Sequence, residues 1–347
     1  MTQKPLGLAI IGCGDIAPKH AEALKQTSGS QLVACMDIVE SSAKSLGEQF
    51  GVRWFTKLDE MLALAEVEAV LIATPAFTHA PLTEQAAKAR RAVICEKPLA
   101  ATLDDADRMI AACKNAGVPL ATCFPLRWLA DARYTRELIA AGAIGTVSEI
   151  RLSSLGEKKA SYWTGGFSGR TQTDWRKHKA SSGGGVVITN LVHNIDLARF
   201  ITGMDVSRAS AEAGTFCTDV EVEDVALGCL RYENGAIGLI DGSSCLYGGA
   251  AAWDLTFLGT KGQIRFGFWS KATEVYLTEP HGDIPAREWF RREQESAPWV
   301  DFHNAFAAAV RSGQTPPVTG EDGRKALEVV LAVYRAAETG APVTLPL

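Results

Sequence analysis

The first third of the chain repeats one unit. Short apolar runs rich in β-branched residues, LAIIG, QLVACMD, AVLIATP, AVICEKP and VPLATCF, alternate with alanine-rich segments of helical period at 17–26, 41–50, 82–89 and 103–116. A strand covered on both faces reads as a continuous apolar run, and the helices between such strands cover it. The alternation predicts a doubly wound parallel α/β sheet over residues 1–122. The rest, 123–347, is long enough for a second domain with its own core, its last helices free to pack back on the first.

The turn after the first run is GCGDIA, which places Gly12, Gly14 and Ala17 in the spacing GxGxxA, with Asp15 and Ile16 inside it. The first glycine permits a tight turn, and the second lets the backbone approach a pyrophosphate. The small third residue lets helix and strand pack closely, with the helix N-terminus facing the anion. The second run ends in Asp37, the carboxylate such sites use for the adenosine ribose hydroxyls. An aspartate there repels a 2′-phosphate, so the expected cofactor is NAD and less so NADP. ATPAFTHAP offers Thr74, Pro75 and His79 at the same sheet edge, as cofactor contacts or as caps of the following helix.

Charge excludes several classes. With 35 basic and 40 acidic residues the net charge is −5, which points to neither nucleic acid nor an anionic membrane as partner. The apolar stretch LGLAIIG stops at Cys13, too short for a signal-peptide core or a membrane span. Eight cysteines occur singly, without a CxxC pair or a Cys/His metal spacing, so no metal site and a reducing cytoplasm are expected. Residues 146–278 change character. TVSEIRLSSL, VEDVALGCLRY, AIGLIDGSS, AWDLTFLG and QIRFGFW read as strands, with hairpin turns at ENG (233–235) and TKG (260–262). This segment predicts an α+β domain.

The run CEKPLAAT is odd as structure, since a charged pair followed by proline should end a strand at the surface. At the edge of a nucleotide-binding sheet, Lys97 would instead reach the crevice where a nicotinamide lies. With GCGDIAPKHAEAL, ATPAFTHA, FPLRW, AGAIG, DWR, GGG followed by His193 and Asp196, and VTGEDGRKALEVVLAVYRAA, the chain resembles the glucose–fructose oxidoreductase/inositol dehydrogenase/MocA family nearly end to end. The resemblance implies a Rossmann domain followed by a domain built on a large, mostly antiparallel open sheet. It also implies a homodimer or homotetramer formed through that sheet.

The resemblance assigns roles. Glu96 and Lys97 of EKP, with Trp175 and Arg176 of the WR element, are implied at the cofactor. Lys97, Arg127, Trp163, Arg176, Thr189, Asn190 and His193 are implied at the substrate. The triple glycine at 183–185 is implied to let the chain pass close to cofactor and substrate at the head of the helix carrying His193. Lys97 and His193 are the implied catalytic pair, which a secondary alcohol needs to shed its hydroxyl proton as hydride leaves. One feature departs from the family: the acid four residues before the histidine is Thr189, which offers a hydrogen bond and no charge. Asp196 is expected in a salt bridge or cap. The polar, aromatic loop 157–182 suits a sugar or a dimer contact. The expected function is an NAD-dependent oxidoreductase acting on a small-molecule sugar, cyclitol or polyol. An NAD-dependent glycosidase and a silent binding protein on the same scaffold are the alternatives.

Overall fold

The alternation of the first third is realised as β1 (Leu6–Ile11), α1 (Ala17–Gln26), β2 (Ser30–Met36), α2 (Glu40–Phe50), β3 (Arg53–Phe55), α3 (Leu58–Leu62), β4 (Ala69–Ile72), α4 (His79–Lys88), β5 (Ala92–Cys95), α5 (Leu103–Ala116) and β6 (Leu120–Thr122). This is a computed structural model, and it describes residues 4–246, 248, 251–268 and 270–347. The six strands form one sheet in the order β3-β2-β1-β4-β5-β6, every pair parallel. β1, β4 and β5 are buried along their whole length, as apolar runs must be inside a sheet covered on both faces. β3 has three residues and begins with an exposed arginine, so no apolar run announces it.

The helices start and stop where local chemistry tells them to. Thr102 accepts a hydrogen bond from the Asp105 amide at the head of α5, and Asp104 and Asp105 lie in its first turn. Gly51 and Gly117 close α2 and α5 with φ of 68° and 66°, a left-handed conformation glycine adopts without steric cost. α4 begins at His79 rather than at 82, because Pro81 sits in the first turn, where a missing N–H is harmless.

The remaining elements are α6 (Ala130–Ala140), β7 (Val147–Leu155), α7 (Tyr162–Gly165), α8 (Lys179–Ser182), a π-helical turn (Val187–Leu191) running into α9 (Val192–Thr202), β8 (Val206–Gly214), β9 (Val225–Tyr232), β10 (Ile237–Ser243), β11 (Ala252–Gly259), β12 (Gly262–Gly267), β13 (Ala272–Leu277), β14 (Trp289–Glu293), α10 (Pro298–Ser312), α11 (Gly320–Thr339) and β15 (Val343–Thr344). Nine strands form a second sheet, β14-β13-β12-β11-β7-β10-β9-β8-β15, antiparallel except where β7 lies beside β10. The turns expected at 233–235 and 260–262 join β9 to β10 and β11 to β12. Among the described residues, no helix is long and apolar enough to cross a membrane.

The chain divides into two compact units that are discontinuous in sequence. The first unit contains the parallel sheet together with Lys159–Gly183 and Pro298–Leu327; the second contains Leu126–Lys158, Gly184–Ala297 and Glu328–Leu347.

Within the first unit, α10 is tied to the sheet by Arg311. Its Nη1 and Nη2 donate to the two Glu68 oxygens at 2.6 and 2.8 Å, and Nη2 also reaches the Pro5 carbonyl. The hydrogen bond from Arg311, with help from the Gly7 amide, holds the Glu68 carboxyl below its usual range. A carboxyl depressed on folding adds stability above its ordinary pKa of about 4.3 and loses it as pH falls. Glu68→Gln should cost at most about 1 kcal/mol at neutral pH, since the pair is partly exposed. Thermal unfolding should show that deficit shrinking as the pH is lowered below about 4; a deficit independent of pH would mean the charge contributes nothing.

Candidate active site

Parallel pairing sets the first half of the site. Ile11 lies opposite both Met36 and Ile72, and Ile72 lies opposite Cys95. The residues that follow, Gly12, Asp37, Ala73 and Glu96, therefore fall in one row at the carboxyl edge, where open α/β sheets bind ligands. Gly12 has φ of 92°, and a Cβ there would meet Thr74 Cγ2 at 2.7 Å and the Ala73 carbonyl carbon at 2.9 Å. Only glycine fits between β1 and β4. At Gly14 the nearest group to such a Cβ is Thr171 Oγ1 at 3.8 Å, so the turn leaves a shallow cradle for a diphosphate. Asp37 is aimed by its neighbours: its carboxylate accepts from the Cys13 amide at 2.7 Å and the Val39 amide at 2.9 Å. This donor set fits NAD.

Asp15 does something the sequence did not announce. Its carboxylate accepts from the Phe167 amide at 3.0 Å, the Ser168 amide at 3.1 Å and the Ser168 hydroxyl, and it pairs with Arg176 at 3.1 Å. Arg170 continues the attachment, donating to Ser45 and Gln49 of α2. Loop 159–183 is thereby strapped over the glycine turn, and its Arg176 guanidinium lies over the rings of Trp175 and Tyr162. Burial raises the Tyr162 hydroxyl, while the charges of Arg176 and Lys97 oppose the rise; Tyr162 thus stands within the field of the EKP lysine.

The EKP turn is held from below. Glu96 Oε2 accepts from the Lys97 amide at 3.0 Å, and Oε1 meets His20 Nε2 at 2.7 Å. His20 Nδ1 in turn faces His303 Nε2 at 3.0 Å. Burial alone would raise the Glu96 carboxyl, but the hydrogen bond and charge of His20, with the charge of Lys97, bring it to about 2. Burial pushes His303 far below the ordinary histidine value. A buried carboxylate is thus locked in its ionised form under the lysine.

Three expected contacts take other positions. His79 is buried; its Nδ1 meets the carbonyls of Pro98 and Leu99 at 3.1 and 3.0 Å, and its Nε2 meets that of Thr74 at 2.9 Å. It braces the β4 and β5 turns against each other and does not reach out to a cofactor. Arg127 forms a bidentate buried ion pair with Asp196, at 2.9 and 2.5 Å, which gives Asp196 its expected structural role. Trp163 is 3% exposed and set edge-on to Tyr162.

The second unit carries His193 on α9, Thr189 and Asn190 on the π turn before it. Trp253 of β11 packs on His193, ring centroids 5.6 Å apart, and also donates to Asn194 Oδ1, while Asn194 Nδ2 donates to the Ser153 carbonyl. Thr189 donates to the Gly185 carbonyl at 2.6 Å and accepts from Lys158 Nζ at 2.8 Å. Lys158 is 5% exposed. A lysine amine therefore meets the residue one turn before His193. Nothing in EKK marked that lysine as buried.

Residues 6–124 match the model of the oxidoreductase family with an NAD-binding Rossmann fold, and residues 132–265 match the GFO/IDH/MocA C-terminal domain. The chain belongs to the GFO/IDH/MocA family. It is 31% identical to a myo-inositol 2-dehydrogenase of Thermotoga maritima, over 97% of this chain and 98% of that protein. It is 31% identical to a D-apiose dehydrogenase of Paraburkholderia graminis, over 97% of this chain and 89% of that one. Its fold matches the WlbA dehydrogenase of Bordetella pertussis, solved with NADH and UDP-GlcNAcA, with a TM-score of 0.88 and 26% identity over 99% of this chain and all of that one.

If the Asp15 carboxylate holds the strap over the glycine turn, Asp15→Ala should speed NADH dissociation by roughly tenfold or more, the effect of losing a charge-assisted contact cluster of about 1.4 kcal/mol or above. Stopped-flow fluorescence measures that rate; an unchanged rate would show the strap is held by other contacts.

Proposed function

We propose that the protein moves a hydride between NAD and a secondary alcohol or ketone of a sugar, cyclitol or related polyol. The observation that carries this reading is the row of residues at the carboxyl ends of β1, β2, β4 and β5. It sets the glycine turn, Asp37 and the EKP lysine on one sheet edge. End-to-end similarity to inositol and apiose dehydrogenases supports the substrate class.

Gly12 and Gly14 receive the diphosphate, Asp37 the adenosine ribose, and the strap carrying Trp175 and Arg176 closes over them. Bound NAD supplies hydride exchange at its nicotinamide ring. Lys97 donates to the reacting oxygen and steadies the alkoxide charge as it develops. His193 takes the hydroxyl proton. Thr189, with Lys158 donating to its hydroxyl, stands one turn before His193 on the same helix. Thr189 and Asn190, on the π turn, are the proposed contacts for substrate hydroxyls.

Two copies are proposed to pair through the nine-stranded sheet. Leu227, Ile237 and Leu239 are 51%, 46% and 40% exposed on β9 and β10, two of its inner strands, where a solvated face would be polar. Leu239→Arg should shift the sedimentation profile toward monomer, and an unchanged profile would place the pairing surface elsewhere.

Purified protein with NAD⁺ and a panel of sugars and cyclitols should generate reduced cofactor, read by absorbance; no turnover across the panel defeats the reading. Lys97→Met should keep NADH binding while turnover falls by roughly two to four orders of magnitude. His193→Ala should likewise lose turnover, whereas Thr189→Ala should act mainly on KM. Near-normal turnover in Lys97→Met, or the reverse ranking of positions 189 and 193, contradicts these roles.

A further inference from the structure

Gly184 and Gly185 make room for two residues, Tyr334 and Glu223, that no part of the reaction has so far used. Gly184 has φ of 150°, and a Cβ on it would overlap the Tyr334 hydroxyl; one on Gly185 would overlap the Glu223 carbonyl oxygen. Tyr334 is on α11, and Glu223 closes the loop between β8 and β9. Both approach the head of the helix that carries His193.

The first four N–H groups of a helix have no partner within it. Here the four successive amides are all taken by those two residues. The Gly185 amide donates to Glu223 Oε2 at 2.6 Å, and the Val186 amide to the Glu223 carbonyl at 3.2 Å. The Val187 amide donates to Glu223 Oε1 at 2.9 Å, and the Ile188 amide to the Tyr334 hydroxyl at 3.1 Å. Tyr334 closes the circuit by donating to Glu223 Oε1 at 2.8 Å. Burial and the facing carboxylate push the Tyr334 hydroxyl well up, so it stays a donor. Asp224 stiffens the same loop by accepting from the Phe216, Cys217 and Thr218 amides.

We infer that Glu223 and Tyr334 are positioning residues for the reaction, setting the rotation of the helix that presents Thr189, Asn190 and His193. It rests on the reading of His193 as proton acceptor. The π turn at Val187–Leu191 begins where the clamp ends. One residue added to a helix turns everything after it by about 100°. The clamp holds the start of that turn, and the Thr189 hydroxyl bonds back to the Gly185 carbonyl across it. Beyond His193 the helix is pinned separately, by Asn194 to β7 and β11 and by Asp196 to Arg127. Loosening the clamp therefore leaves the helix beyond Asn194 in place but lets the π turn before it relax, shifting Thr189, Asn190 and the approach of His193.

Glu223→Gln and Tyr334→Phe, made in the full chain, test this. Each should bind NADH within about twofold of wild type, because the glycine turn and Asp37 lie in the other unit. With the polyol that gives most turnover in the panel, kcat should fall roughly 10- to 100-fold, the range for lost support of a reacting group, with little change in KM. The imidazole C–H resonance of His193, assigned by its loss in His193→Ala, should move in both variants. Glu223→Gln added to His193→Ala should cost nothing further, since both act through one group. A bystander that only stabilises the fold would lower the melting temperature and leave the resonance and kcat at saturation in place. Folded variants with kcat within twofold of wild type and an unmoved resonance overturn the inference, and Tyr334→Phe alone decides if Glu223→Gln does not fold. If His193→Ala itself keeps turnover, the reading of His193 falls, while the resonance in Tyr334→Phe still reports on the clamp.

Discussion

A carboxylate that accepts main-chain N–H groups is the interaction on which both halves of this protein depend. Asp37 takes the Cys13 amide, Glu96 that of Lys97, Asp15 those of Phe167 and Ser168, and Glu223 those of Gly185 and Val187. Each bond fixes the backbone of a segment that carries functional side chains, and each removes a polar group from the cost of burial. Charge makes these bonds stronger than neutral ones, so a loop can be held without a strand or helix of its own.

Burial and charge oppose each other at these carboxylates, and the outcome differs from site to site. At Glu96 the partners include His20 and Lys97, and the carboxyl stays ionised down to about pH 2. At Glu223 the partners are amides and a phenol, and burial prevails, leaving the carboxyl above its usual range. The first gives the EKP lysine a permanent anion beneath it. The second relies on helix amides, whose partial positive charge suits a carboxylate at the helix head.

Much of the architecture was legible from local pattern. GxGxxA with Asp37 marks the dinucleotide turn, EKP marks the lysine, and the strand-like runs with ENG and TKG mark the second sheet. What local pattern does not carry is the partner of a polar side chain when that partner is distant in sequence. His79, for which the local pattern leaves a cofactor contact and a helix cap both open, starts α4 and braces Pro98, Leu99 and Thr74. Arg127 was read toward the substrate but meets Asp196, 69 residues away. Within the glycines at 183–185, Gly184 accommodates Tyr334 and Gly185 accommodates Glu223, which no local signal connects to them.

By itself the sequence determined what periodicity and turn chemistry can encode: two domain classes, the parallel strands with their helices, and the family to which the chain belongs. Those properties follow from neighbours within a few residues, where side-chain spacing decides which face is apolar. The tertiary structure alone decided which polar groups are spent on the protein and which are left for chemistry. Lys158, His20, His303, Glu223 and Tyr334 gain their meaning from hydrogen bonds spanning 31 to 283 residues. A hydrogen bond depends on an angle and a distance of about 3 Å, and no spacing in the sequence carries that information.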